Sequence, residues 1–298
     1  MSLKRERIFG IAVTVGLLAL GAARVAHAQG MQGSPQQPPA TTPGGQTPAS
    51  GQTPADASKG GLALDVAPPV NADEDGAFKA FEDTPEADSA KKVDLGEAFV
   101  QKYPASRYLP VIYANLTMLY LKTNQVQKME EIGDKAVKLT PTDVQTMAIL
   151  AQTIPRAMNN TSGPDAVKEL AKAEDYSKRA IEVTPTIAKP VNLTDEQFAS
   201  AKNVTLAMAH SGLGLVYVRR GKYADAIPEL DLSVKLDPSP DPVNYYLLGL
   251  ANEKASHFAD AATAFTKCAG IQGSMQATCT SKAAEAKKLG ETQLSVPK

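Results

Sequence analysis

One recurrence constrains this chain more than any other feature. Leu213-Gly214, Tyr223, Ala226 and Leu230 return as Leu248-Gly249, Phe258, Ala261 and Phe265, each 35 positions further on. Self-similarity at such a period means that one supersecondary unit stacks on a copy of itself. In the first half of each unit, His210, Leu213, Gly214 and Tyr217 stand at i, i+3, i+4 and i+7, as do Tyr245, Leu248, Gly249 and Asn252. That spacing draws one face of a helix. Tyr223, Ala226, Ile227, Leu230, Ser233 and Val234 form a second stripe, repeated by Phe258, Ala261, Ala262, Phe265, Cys268 and Ala269. Short polar breaks at 219–222 and 254–257 separate the halves. Large residues facing small ones let two helices pack closely as an antiparallel hairpin, and Pro238 forces the chain out of the second helix. A lone hairpin cannot bury both its faces, so the unit needs neighbours.

The unit resembles the tetratricopeptide repeat, a helix-turn-helix of 34 residues with the pattern W-x2-L-G-x2-Y…A-x3-F…P. The copy at 207–240 matches through Leu213-Gly214, Tyr217, Ala226, Leu230 and Pro238, with His210 in place of the aromatic. The copy at 242–275 matches through Tyr245, Leu248-Gly249, Ala261 and Phe265, and has Gly273 where the terminal proline would stand. A degenerate copy at 110–143 keeps Tyr113, Leu116-Thr117, Tyr120, Met129, Ala136 and Pro141. Another, at 144–187, keeps Met147, Leu150-Ala151, Ala180 and Pro185 but carries an extended inter-helix segment at 154–163. A half-matched pair occupies 73–104, and a lysine- and alanine-rich helix at 276–289 closes the array. The resemblance implies an all-α solenoid of four to five hairpins with a C-terminal capping helix, over residues 73–289. Pro228, inside a second helix, removes one backbone hydrogen bond and is expected to distort the first turns.

The flanks read differently. Lys4, Arg5 and Arg7 precede an uncharged stretch at 8–23, and Ala26-His27-Ala28 supplies a small-x-small cleavage site. Residues 1–28 are therefore expected to be a signal peptide that sends the chain to the periplasm, the alternative being an uncleaved inner-membrane anchor facing the periplasm. Residues 29–72 are rich in Pro, Gln, Gly and Thr, with GQTPA at both Gly45 and Gly51, and read as a disordered linker. Residues 290–298 read as a tail. Removing the +3 carried by the first 28 residues takes the formal net charge from −1 to −4. With no basic stripe and no stacking-aromatic motif, no nucleic-acid partner is expected, and a membrane is met only through the signal segment.

The three histidines, His27, His210 and His257, lack companions at metal-ligand spacing. No nucleophile motif, phosphate loop or HExxH is present. Neither cofactor nor metal is expected, and the chain reads as a non-enzyme. Cys268 and Cys279 stand where a bridge would staple the capping helix to the last hairpin, in a compartment that permits disulfides.

In the resembled family, the inner face of the first helices grips a peptide or a partner helix. By register that face offers Met118, Leu121 and Lys122, then Leu215, Val218 and Arg219, then Tyr246, Leu250 and Glu253. Ala114, Met118, Ser211 and Gly212 depart from the lysine, arginine and asparagine pattern that clamps a C-terminal carboxylate, so a mostly apolar segment or amphipathic helix is the expected partner. The functional expectation is a protein–protein interaction scaffold or adaptor of the cell envelope. The alternative is a chaperone-like holder of exported clients.

Overall fold

The computed structural model describes residues 71–159 and 162–294. The expected signal peptide, nearly all of the expected linker, and residues 295–298 lie outside the described residues. Eleven α-helices and no strand form the described part. They pair in chain order as α1 (Ala72–Asp83) with α2 (Ser89–Lys102), α3 (Leu109–Lys122) with α4 (Val126–Leu139), and α5 (Val144–Ala157) with α6 (Pro164–Val183). Then come α7 (Asp195–Arg219) with α8 (Tyr223–Leu236), α9 (Pro242–Lys254) with α10 (Phe258–Ala269), and a final α11 (Gln276–Leu294). Each pair packs on the next, giving a tetratricopeptide-type α-solenoid of five hairpins and a closing helix. Among the described residues, no helix is long and apolar enough to cross a membrane.

The recurring residues do the same work in each copy. A Cβ added at Gly214 would lie 2.6 Å from Leu230 Cγ, and one added at Gly249 would lie 2.6 Å from the Phe265 ring. Glycine in the first helix thus seats the large residue of the second. The turns between paired helices also repeat. Asn124, Gly221 and Ser256 have φ of 56°, 71° and 63°, and each is followed by an amide that reaches back to the helix. Those bonds are Gln125 N to Tyr120 O (2.8 Å), Lys222 N to Tyr217 O (2.9 Å) and His257 N to Asn252 O (2.8 Å). They satisfy carbonyls that the helix end leaves orphaned. Only Gly221 adopts the left-handed conformation without a Cβ penalty. Ser256→Gly is therefore expected to stabilise the last hairpin by about 0.5–1 kcal/mol, read as a rise in melting temperature of roughly 2 °C.

Two prolines stand inside helices. Pro228 frees the carbonyl of Ala224, an exposed residue near the start of α8, and the helix is continuous through it. Pro155 differs from the sequence expectation. The inter-helix segment expected to start at residue 154 instead begins at Met158, because α5 keeps its helical path to Ala157. Ile154 and Pro155 are buried, and that packing outweighs the lost hydrogen bond. The carbonyl freed by Pro155 is that of Ala151, and α7 crosses against it at Gly212.

The stretch at 187–193, between the α6 hairpin and α7, leads into a capping box. Thr194 Oγ1 accepts from Gln197 N (3.2 Å), and the Gln197 side chain accepts from Thr194 N (3.0 Å). It starts α7 twelve residues ahead of the repeat register, so α7 reaches 25 residues where its equivalents α3, α5 and α9 have 14, 14 and 13.

The apolar interior falls into three clusters. The first runs from Phe81 and Phe99 through Ile112, Leu116, Met129, Met147 and Leu150 to Leu170, Ala209 and Val216. The second joins Leu215, Leu230, Val234, Leu247, Leu248 and Ala264. The third joins Ala261, Ala262 and Phe265 of α10 to Ala283 and Ala286 of α11. Burying one leucine or phenylalanine side chain is worth roughly 1.5–3 kcal/mol, so these clusters dominate the packing. The first two share α7 and divide there.

Candidate partner-binding face

The nine residues expected on the inner face of the first helices fall into three settings. On α3, Met118 and Leu121 are half-buried against the first cluster, and Lys122 Nζ is 2.8 Å from Glu86 Oε2. On α7, Leu215 is 6% exposed and belongs to the second cluster, while Val218 and Arg219 are half-buried. On α9, the Tyr246 ring lies 5.7 Å from the Phe265 ring, Leu250 packs against the third cluster, and Lys282 of α11 holds Glu253 at 3.4 Å. The face is thus partly spent on the chain itself. Half-exposed apolar side chains remain on α3, at Val218 of α7, and on α9.

Between the α3 and α9 stretches, part of the expected face is buried within the chain. Ala148, Ile149, Ser211 and Leu215 are buried, and a network ties α5, α7 and α9 together. Arg156 Nη1 is 2.8 Å from Asp241 Oδ2, and Nη2 donates to Asn244 Oδ1 (3.1 Å) and Ser211 Oγ (3.4 Å). Gln152 Nε2 donates to Ser211 Oγ (3.1 Å), Ser211 Oγ to Asn244 Oδ1 (2.7 Å), and Asn244 Nδ2 to Ser233 Oγ (3.2 Å). Asp241 also caps α9, its Oδ1 accepting from Val243 N (2.9 Å). Sequence reasoning missed this network. Asp241 before Pro242 was legible as a cap signal. Arg156 was hidden in a segment read as a loop.

The outer helices are joined by charge. Lys172 of α6 bridges Glu130 (2.7 Å) and Asp134 (2.6 Å) of α4, and Tyr176 donates to Asp134 (2.8 Å). Glu169 lies beside Glu130, and its Oε2 is buried without a partner. Burial, then the Glu130 contact, raises the Glu169 carboxyl above the usual carboxylate range. Glu86 goes the other way. Burial alone would raise it, but hydrogen bonds from Lys122 and Lys92 outweigh that and hold it low. A folded value above the unfolded one means that Glu169 opposes folding at neutral pH, and that the opposition fades as pH falls through the raised value. Glu169→Gln is expected to raise the melting temperature at pH 7, by about 1 kcal/mol or less because the site is half-exposed. The advantage should fade as pH falls and be gone near pH 3, below the unfolded carboxyl value, where wild type is protonated in both states. Paired melts at the two pH values check this.

His210 is 8% exposed, its Nδ1 lying 2.6 Å from Glu229 Oε2, whereas His257 is exposed ahead of α10. Among the described residues, no group of three or more His, Cys, Asp or Glu could hold a metal ion. Cys268 and Cys279 are both fully buried and bridged, with Cα atoms 5.7 Å apart.

The recurring residues and paired helices build an α-solenoid of stacked hairpins, the fold that the tetratricopeptide resemblance implies. Among solved structures, the chain is similar to TTC0263, a thermophilic tetratricopeptide-repeat protein of Thermus thermophilus. That match has 18% identity, covers 72% of this chain and 98% of that one, and has a TM-score of 0.43. It is similar to PilW, described as a widely conserved type IV pilus biogenesis factor, at 14% identity over 76% of this chain and 93% of that one, TM-score 0.47. MamA is similar at 18% identity over 65% of this chain and 89% of that one, TM-score 0.47. No family model matches the sequence, and no curated protein matches it. Likeness at this distance concerns the fold and assigns no residue a role.

Proposed function

We propose that this chain is a non-enzymatic scaffold or adaptor of the bacterial cell envelope, exported to the periplasm, that docks a partner peptide or amphipathic helix on its inner face. The observation that carries this reading is the pair of half-exposed apolar stretches in helical register, Met118 and Leu121 on α3, and Tyr246 and Leu250 on α9. Apolar side chains repeating at this spacing suit the apolar stripe of another helix. The bridged Cys268–Cys279 pair supports an oxidising compartment. Photocrosslinkers at Met118 and Tyr246, with outer-face controls at Lys138 and Thr263, test the docking in the native envelope. One or two adducts of defined mass from the inner positions alone are expected. Adducts equal to those of the controls reject the reading, and a ladder of faint adducts points to the holder role instead. Intact mass of the envelope protein, expected to begin at Gln29, tests the export step.

A further inference from the structure

No apolar cluster contains residues of both α5 and α9. The first cluster includes α5 and ends on one side of α7, and the second begins on the other side and includes α9. Among the described residues, the side-chain hydrogen bonds joining α5 to the start of α9 are those of the Arg156 network, between residues 85 and 88 positions apart. On the outer side the charged strap of Glu130, Asp134 and Lys172 lies within the first block, and the Glu174–Arg220 pair reaches only the end of α7. We propose that the Arg156–Asp241 pair is a curvature clasp, which holds the α8–α10 block bent toward α5 around α7 and whose release straightens the array and opens the inner face.

The chemistry of the contact suits a joint that opens. Arg156 is 15% exposed and Asp241 33% exposed at the side chain, so water and salt reach one partner while the other stays packed. Arg156 Nε is buried without a partner, so the guanidinium is not fully satisfied in the closed arrangement. The close seat of Gly212 on the Ala151 carbonyl keeps α5 and α7 fixed to each other, which places the bend between α7 and α9. Opening would uncover Ser211 and Leu215, both buried when closed. That last consequence matters for binding only if the inner face is the docking surface. The clasp itself does not depend on that reading.

Asp241→Asn tests the clasp cleanly, because asparagine caps a helix as well as aspartate while removing the charge. Spin labels on exposed α4 and α10 positions, through Lys138→Cys and Thr263→Cys with the native disulfide kept oxidised, report the distance between blocks. A second pair, Lys91→Cys with Lys138→Cys, reports the first block alone. The expected result is an α4–α10 distance longer by several ångström in Asp241→Asn and in Arg156→Gln, with the α2–α4 distance unchanged. Raising ionic strength from about 0.1 to about 1 M cuts the screening length from about 10 to about 3 Å, so it should lengthen the wild-type distance and leave the variants unmoved. Unchanged α4–α10 distances, even with lower melting temperatures, overturn the proposal and leave the pair as a stabilising contact. A change in the α2–α4 pair overturns it too, as general loosening. Should Arg156→Gln fail to fold, Asp241→Asn and the wild-type salt series still decide. None of these distances needs a partner, so the clasp and the docking face can fail separately.

Discussion

Gly212→Ala is expected to destabilise the protein by about 3 kcal/mol, lowering the melting temperature by roughly 6–12 °C. A Cβ at Gly212 would sit 2.6 Å from both the carbon and the oxygen of the Ala151 carbonyl, and 3.0 Å from Gln152 N. These are backbone atoms of a packed helix, so α5 and α7 would have to part. The helix-propensity gain of about 1 kcal/mol from replacing glycine by alanine does not offset that. Two comparisons isolate the cause. At Gly214 the obstructing atoms belong to the Leu230 side chain, which can move, so Gly214→Ala should cost less. At Gly76, in α1, nothing lies within 4 Å, so Gly76→Ala should stabilise by up to about 1 kcal/mol. Melts of the three variants should rank Gly76 above wild type, then Gly214, then Gly212. A Gly212 variant as stable as wild type would mean that the two helices do not approach this closely.

Reducing the Cys268–Cys279 bridge is expected to release α11. The bridge closes a short loop, with a sequence separation of 11, and such a loop contributes about 3 kcal/mol in the chain-entropy account. The interface that it reinforces is alanine-rich, with Ala283 and Ala286 of α11 against Ala261, Ala262 and Phe265 of α10. Each repeat leans mainly on its neighbours, so the loss should remain local. Hydrogen exchange in α11 should accelerate about 100-fold on reduction or in a Cys268→Ala, Cys279→Ala double variant, while the amides of α3 and α4 keep their protection. Equal acceleration along the whole array would contradict a local staple, and no acceleration would mean that α11 is held by other contacts.

What could be read before the structure follows from how local each cause is. The seating of Leu230 on Gly214, and of Phe265 on Gly249, is written within one repeat, so spacing alone exposed it. The capping helix and its cysteines were legible for the same reason. Pro155 misled because its helix-breaking tendency is local, whereas the burial that overrides it comes from packing within the array. The early start of α7 was present as Thr194 and Gln197, a capping box that the irregular segment before it obscured. The Arg156 network was not legible at all. It depends on how three helices converge, a sum of many small repeat-to-repeat rotations that no single residue pattern states. Leu215 shows the same thing from the other side, since its register places it on the inner face and convergence buries it.

The length of α7 turns that convergence into mechanics. Its 25 residues measure about 37 Å, of which the twelve ahead of the repeat register project about 18 Å beyond the hairpin. That projection is a lever arm that pivots where the hairpin begins, at Ala207. A tilt of only about 10° at the hairpin would carry the Thr194 end through about 3 Å, by the rise per residue alone. Small angular play at the centre of the array is thereby delivered, enlarged, to the edge where residues 187–194 meet solvent.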